Sequence, residues 1–180
     1  MKSTAMAALL LLISCLTTSF SQSSRPATTT THVTVPADIQ AAAKAAATTG
    51  CNQDLWHHVY NPSRLQVIEQ CIEVTGTIRD IKHEVDGDDH IQLEVDPGFS
   101  KLLNDRNVTA QANSLIVEPV CQGPDTQPDA IAACRDFHSP VKVPKESGVK
   151  VKVVGAFVWD TEADHGWTEI HPVTSMTVIQ

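Results

Sequence analysis

Residues 149–179 constrain the fold most, because they read as two β-strands joined by a short loop. The segments 149–159 and 169–179 are rich in valine, isoleucine and threonine, residue types that favour strands. The loop between them is polar and contains a glycine, a pattern typical of a β-hairpin. We therefore expect the rest of the chain to supply the strands against which this hairpin packs.

Three further segments are predicted to be strands, two of them from their periodicity. In residues 72–79 and again in 90–96, apolar and polar side chains alternate, which predicts strands with one buried face. A short apolar strand follows at 115–120, and residues 128–134 could form one or two helical turns. Five strands with a small helix before the fourth predict an all-β fold with minor α, a five-stranded Greek-key barrel of OB-fold type. A β-sandwich is the alternative, but it usually needs about seven strands.

The first 21 residues resemble a secretory signal peptide. Lys2 gives a positive start, residues 7–16 are apolar, and Ser19 and Ser21 fit a small-x-small cleavage site. Because no later apolar run approaches the roughly 18–20 residues of a membrane span, we expect a secreted or periplasmic protein. The alternative is a lipoprotein signal that anchors the chain through a lipid on Cys15.

Residues 22–50 differ in composition from the rest. They are rich in serine, threonine and alanine, which indicates a linker with a possible helix between Pro36 and Gly50. An alanine-rich face buries little apolar area, so we expect a spacer or a loosely docked helix. The folded domain is predicted at 51–180, where residues 51–71 would pack as a collar on the barrel.

Four cysteines remain after the predicted leader. An even number in an exported domain favours disulfides over free thiols or metal ligands. Four cysteines allow three pairings; we favour Cys51 with Cys71 and Cys121 with Cys134, because each pair closes a short local loop.

The net charge limits the range of partners. The chain carries 13 basic and 21 acidic residues, a formal charge of −8, which disfavours nucleic acid as a partner. An unknown small molecule, a saccharide or an envelope protein remains possible, and we expect a monomer.

The hairpin loop and the start of its second strand concentrate the groups that could carry a function. Glu169 and His171 are two residues apart in a strand, so their side chains project from the same face, with the intervening Ile170 pointing into the core. Imidazoles and carboxylates this close can bind a ligand, hold a divalent metal or pair a base with an acid. They can also be purely structural, with an indole capping the barrel and a hydrogen bond fixing the hairpin. The candidate ligand-binding residues are Asp160, His165, Trp167, Glu169 and His171.

A second acidic segment lies between the first two predicted strands. Its Asp-x-Asp spacing is similar to that of calcium-binding loops, but the closing glutamate of the twelve-residue pattern is missing, so we predict a solvated turn. In an OB barrel, the loops 1–2 and 4–5 flank the usual binding face. The acidic residues of the turn are Glu84, Asp86, Asp88 and Asp89.

Three segments resemble a group of uncharacterised exported bacterial proteins with an OB-fold-like barrel. They are residues 59–65 (VYNPSRL), 74–77 (VTGT) and 160–173, which contain the string HGWxEIHPV. The resemblance covers roughly residues 51–180 and implies export and a barrel fold. It implies no particular activity.

These observations lead to one leading hypothesis and two alternatives. We expect an exported, disulfide-stabilised, non-catalytic binding module that uses the 4–5 loop, with no cofactor, no metal and no catalytic residue. The first alternative is a metal-dependent hydrolase that uses the cluster of Asp160, His165, Glu169 and His171. The second is a structural interaction protein of the envelope.

Overall fold

The computed structural model describes residues 32–180. The predicted signal at 1–21, Cys15 and the first part of the predicted linker lie outside the described residues.

Five strands form one mixed sheet that closes into a ring in the order β1-β2-β3-β5-β4. All neighbouring strands are antiparallel except β3 and β5, which are parallel. The predicted all-β, barrel-like fold with minor helices is therefore confirmed, including the hairpin of the last two strands. The strands are β1 (Leu65–His83), β2 (Asp89–Val95), β3 (Leu115–Val117), β4 (Lys150–Asp160) and β5 (Thr168–Val178).

The first strand is much longer than its alternation predicts. It begins at Leu65 rather than at residue 72, so the end of the predicted collar belongs to the sheet. Shifts in its register with β4 occur between Val67 and Glu69 and between Glu69 and Ile72. Such irregularities bend a strand and change the phase of its side chains, which explains why a strict period of two marks only the second half of β1.

Within residues 32–180, three short α-helices accompany the barrel. The first, α1 (Ala37–Ala46), buries Ile39 and Ala43 against the main core, so the helix is firmly packed rather than loosely docked as expected. The small helix predicted before the fourth strand is present as α3 (Ile131–Cys134). The helix α2 (Asp105–Ala110), which begins with a capping box, was not predicted from the sequence.

The barrel interior is filled by aliphatic side chains from all five strands and by Phe157. A smaller apolar cluster lies outside the sheet, beneath the 3₁₀ helix Gln53–His58, and contains Leu55, Val59 and Val158. Both disulfides form between the cysteines that were predicted to pair because each pair closes a short loop. Cys51–Cys71 ties the segment after α1 to β1, and Cys121–Cys134 ties the segment after β3 to α3.

Candidate functional site

The loop between β4 and β5 is held in place by its own backbone and by α2. The Asp160 amide donates to the carbonyl of Trp167 at 3.0 Å, and the Gly166 amide donates to the carbonyl of Asp160 at 3.1 Å. The Arg106 guanidinium on α2 donates to the carbonyls of His165 (2.8 Å) and Asp164 (2.7 Å). The loop therefore presents its side chains in a defined arrangement.

Two aromatic rings of this loop stack at the barrel rim. The centroids of His165 and Trp167 are 4.2 Å apart, and their planes differ by 20°. His165 Nδ1 lies 2.6 Å from Asp160 Oδ2, and this hydrogen bond raises the pKa of His165. The Trp167 indole nitrogen donates to Glu169 Oε2 at 2.8 Å. The rim residues are thus fixed by carboxylates that lie behind them.

Behind the rim lies a layer of buried charged groups. Glu169 and His171 are fully buried on the side of β5 opposite to Ile170, which points into the core as predicted. His171 Nδ1 lies 2.8 Å from Glu118 Oε2 and 3.3 Å from Glu169 Oε1. Burial acts to lower the pKa of His171, but hydrogen bonds and attraction from the two glutamates outweigh it and raise the pKa to about 10. Burial, reinforced by the charge of Glu118, raises the pKa of Glu169.

Arg64, at the end of the 3₁₀ helix Pro62–Arg64, adds a guanidinium to this layer. Its side chain is 9% exposed and forms a hydrogen-bonded ion pair with Asp160. It also lies 3.7 Å from a Glu169 oxygen and 3.8 Å from a Glu118 oxygen. One guanidinium therefore offsets the negative charge of three carboxylates, which lie just after β3, at the end of β4 and in β5.

Glu118, directly after β3, connects two histidines. Its Oε1 lies 2.8 Å from His90 Nδ1 on β2, while its Oε2 accepts from His171. Burial acts to raise the pKa of Glu118, but the hydrogen bonds from the two imidazoles lower it well below the usual range of a glutamate. Burial likewise opposes the charged form of His90, but Glu118 and Gln111 raise its pKa to about 9.

The acidic turn between β1 and β2 is only partly solvated, contrary to the prediction. Asp88 and Asp89 are 3% and 2% exposed. Asp88 Oδ1 accepts from the Cys121 amide at 2.8 Å, and its Oδ2 faces His171 Nε2 at 3.6 Å. Asp89 pairs with His83. The two aspartates are buried because the backbone after β3 folds over the turn, a long-range contact that local spacing does not reveal.

An open cleft of about 280 Å³ lies where the 1–2 turn, β2, the end of α2 and the 4–5 loop meet. Its wall combines carboxylates, a lysine, two amides and three aromatic or imidazole rings. The lining residues are Asp80, Lys82, Glu84, His90, Gln92, Gln111, His165 and Trp167.

The structure brings the five predicted site residues into one connected network, but it divides them into two layers. His165, with a side chain 33% exposed, and Trp167, 6% exposed, line the cleft. Asp160, Glu169 and His171 are completely buried. Arg64, His90 and Glu118 were not predicted as site residues, and Asp88 was predicted to be solvated. The available signal for Glu118 was a lone glutamate within the apolar run LIVEPV.

The four residues of the metal-hydrolase alternative do not form one ligand set. Arg64 lies between the pair Asp160–His165 and the pair Glu169–His171. Within residues 32–180, several sets of carboxylate, imidazole or thiol groups lie close enough together to share an ion, but their members differ from these four residues. Two of these groups are Asp88 with Glu118 and His171, and Glu84 with His90 and Glu118.

Comparisons with protein-family models, with curated proteins and with solved structures gave no match. Among the helices of the described residues, none has the length and apolar character needed to cross a membrane. The two disulfides are compatible with an extracytoplasmic protein.

Proposed function

We propose that this chain is an exported binding module of OB type whose cleft takes a small polar ligand of the saccharide class. The ring order of the strands, with β3 parallel to β5 and a helix before β4, supports the OB assignment. Export is supported by the signal-like residues 1–21 and by the two disulfides. The alternative is an exported chain that is anchored to the membrane by a lipid on Cys15.

The position of the cleft carries this proposal. OB barrels bind their ligands on the face formed by strands 2 and 3 between the loops 1–2 and 4–5. The cleft in this barrel lies between the same two loops and includes two side chains of β2, His90 and Gln92. Two predicted site residues, His165 and Trp167, form its aromatic wall.

The chemistry of the wall favours a saccharide. Sugars present hydroxyl groups, which pair with amides and carboxylates, and apolar C–H faces, which pack on aromatic rings. Gln92, Gln111 and Asp80 supply the hydrogen-bonding groups, and the partly exposed ring of His165 supplies a stacking surface. The acidic balance of the whole chain argues against a nucleic acid.

The three buried members of the predicted site act from behind the cleft. Glu169 orients the Trp167 indole, and Asp160 orients the His165 ring. His171 holds Glu169 and Glu118 together. Of the five predicted site residues, only His165 and Trp167 touch the ligand in this proposal, whereas the three buried ones keep both rings in position.

A panel of bacterial envelope saccharides, screened with the disulfide-bonded protein and followed by calorimetry, tests the proposal. We expect His165→Ala and Gln111→Ala each to weaken binding of the best sugar at least about tenfold, a loss of about 1.4 kcal/mol. His138→Ala, which alters an exposed histidine outside the cleft, is the matched control and should bind like the unmodified protein.

Two results would contradict the proposal. One is the absence of binding to every saccharide while an envelope protein binds and is unaffected by cleft variants, which would favour the structural interaction protein. The other is sugar binding that His165→Ala, Gln111→Ala and His138→Ala change equally.

A further inference from the structure

Gln111 and Trp167 are the two buried residues of the cleft wall, with 8% and 6% of their surface exposed. The Trp167 indole N–H already donates to Glu169. The side-chain oxygen of Gln111, Oε1, accepts from His90 Nε2 at 3.3 Å and from Gln92 Nε2 at 3.2 Å. A carbonyl oxygen has two lone pairs, so a ligand in the cleft meets the amide NH₂ group of Gln111 rather than its oxygen.

The protonation of His90 determines which way this amide faces. His90 Nδ1 donates to Glu118 Oε1 at 2.8 Å. Burial acts to lower the pKa of His90, but the hydrogen bond and charge of Glu118, with a contribution from Gln111, raise it to about 9. At about pH 7 the ring therefore also carries a proton on Nε2, and within residues 32–180 Gln111 Oε1 accepts it. A neutral ring would instead accept from the Gln111 NH₂ group and turn the amide oxygen towards the cleft.

The free NH₂ group of Gln111 discriminates between the polar groups that saccharides carry. An acetamido carbonyl accepts a hydrogen bond, whereas a protonated amino group can only donate. A ligand that displaces water from Gln111 without offering an acceptor leaves the NH₂ group unpaired, and this loss weakens binding. The positive ring of His90, bonded to the same amide, adds repulsion of a cationic group.

The carboxylates of the cleft restrict the ligand further. Asp80 and Glu84 belong to the same wall and repel an acidic sugar. They attract a cation only weakly, because Asp80 is exposed to solvent and Glu84 already pairs with Lys82 at 2.7 Å. A neutral group that accepts a hydrogen bond therefore fits the cleft best, and the methyl of an acetamido group can pack on the His165 ring.

We infer that Gln111 is the specificity-determining residue of the cleft and that the cleft takes N-acetylated amino sugars in preference to the same sugars with free amino groups. This inference rests on the proposed function, because it names the class of saccharide that the same cleft binds. His90 acts as a positioning residue: it does not need to touch the sugar, and it holds the amide so that the NH₂ group faces the ligand.

Two oligosaccharides that differ in one group test the inference by calorimetry. They are the tetramer of N-acetylglucosamine and the same tetramer without its acetyl groups, compared at about pH 6, where His90 and the sugar amines are protonated. The unmodified protein should bind the acetylated form at least about tenfold more tightly.

Gln111→Glu should abolish this preference. One oxygen of the new carboxylate can pair with the His90 ring, and the other faces the ligand as an acceptor in place of the NH₂ donor. Binding of the acetylated tetramer should weaken at least about tenfold. Gln70→Glu, which makes the same substitution at an exposed glutamine outside the cleft lining, is the matched control and should keep the preference.

A measurement without ligand tests the orientation of the amide in the unmodified protein. Nitrogen-15 magnetic resonance of the histidine rings should show both nitrogens of His90 protonated at about pH 7, with one proton lost near pH 9. A neutral His90 ring at about pH 7 would overturn the inference, whatever the cleft binds.

The binding results separate this inference from the proposed function. If another saccharide binds in the cleft but the two tetramers bind equally, or the amine form binds more tightly, the choice of sugar is wrong and the proposed function stands. If Gln111→Glu and Gln70→Glu change the preference equally, Gln111 does not determine it. If no saccharide binds, the proposed function fails and this inference fails with it.

Discussion

Replacing Arg64 with methionine should destabilise the protein strongly, although Arg64 lies outside both the barrel core and the cleft. The Arg64 side chain is 9% exposed, and its closest partner Asp160 is completely buried. Glu118 and Glu169 also rely on this guanidinium, at 3.8 and 3.7 Å. Removing one partner of a buried ion pair costs about 3–5 kcal/mol, because the remaining charge stays buried without compensation. Methionine keeps most of the apolar stem, so the loss in the free energy of unfolding measures the contribution of the charge.

Arg79→Met is the matched control. Arg79 pairs with Glu94 at 2.9 Å, but the two side chains are 45% and 54% exposed. Exposed pairs contribute about 0–1 kcal/mol, because water already solvates both partners. We therefore expect the two variants to differ by at least about 2 kcal/mol in the free energy of unfolding. Equilibrium unfolding in urea, followed by circular dichroism, measures both.

The pH dependence of the Arg64→Met defect provides a second check. The pKa of Glu169 is already raised in the folded protein by burial and by Glu118. Without the guanidinium it should rise further, so the folded state binds a proton more readily than the unfolded state, and acid favours folding. The defect should therefore be larger at about pH 7 than at about pH 5. Equal losses for Arg64→Met and Arg79→Met, or a defect that grows towards acid, would refute this reasoning.

Three further predictions concern other parts of the fold. The pKa of His90 is raised from 6.5 to about 9. The stability that its pair with Glu118 contributes is therefore complete below pH 6.5 and is lost as the pH rises through about 9. Glu118→Gln should flatten this decline when the free energy of unfolding is measured in urea at several pH values. At Gly155, an added Cβ would lie 2.5 and 2.6 Å from atoms of β5, so Gly155→Ala should lower the Tm by several degrees, and an unchanged Tm would contradict the packing. Replacing both Cys121 and Cys134 with serine should cost about 3 kcal/mol of unfolding free energy in non-reducing urea titrations, whereas a loss below about 1 kcal/mol would show that the loop is ordered without the bond.

The strands were predictable where one face of the sheet is buried and the other is solvated. Alternation located β2 and the second half of β1, and β-branched residues located the terminal hairpin. The first half of β1 was not predicted, because its register with β4 shifts near Glu69 and this shift breaks the period of two. The alanine-rich α1 was expected to dock loosely, but its single large apolar residue, Ile39, is buried in the core.

The candidate site was predictable only where its residues are close in sequence. The 4–5 loop and the start of β5 contribute five of its groups within a dozen residues. The remaining groups come from distant segments, and their roles follow from the closure of the barrel. Arg64 precedes β1, and Glu118 follows β3, yet their side chains meet around β5. No local spacing indicates that Asp88 is buried, because the backbone that covers it arrives from after β3.

A buried charge network holds the Trp167 indole at the wall of the proposed ligand-binding cleft. Nuclear magnetic resonance of the three tryptophan indole N–H groups measures this arrangement, since Trp56 and Trp159 lie outside the cleft lining and serve as internal references. We predict that the Trp167 indole proton exchanges slowly, because it donates to the buried carboxylate of Glu169, and that it shifts on titration with the best-binding saccharide while the other two remain in place. Fast exchange of this proton would contradict its hydrogen bond to Glu169, and a saccharide that shifts the other indoles and leaves that of Trp167 unchanged would contradict the proposed binding site.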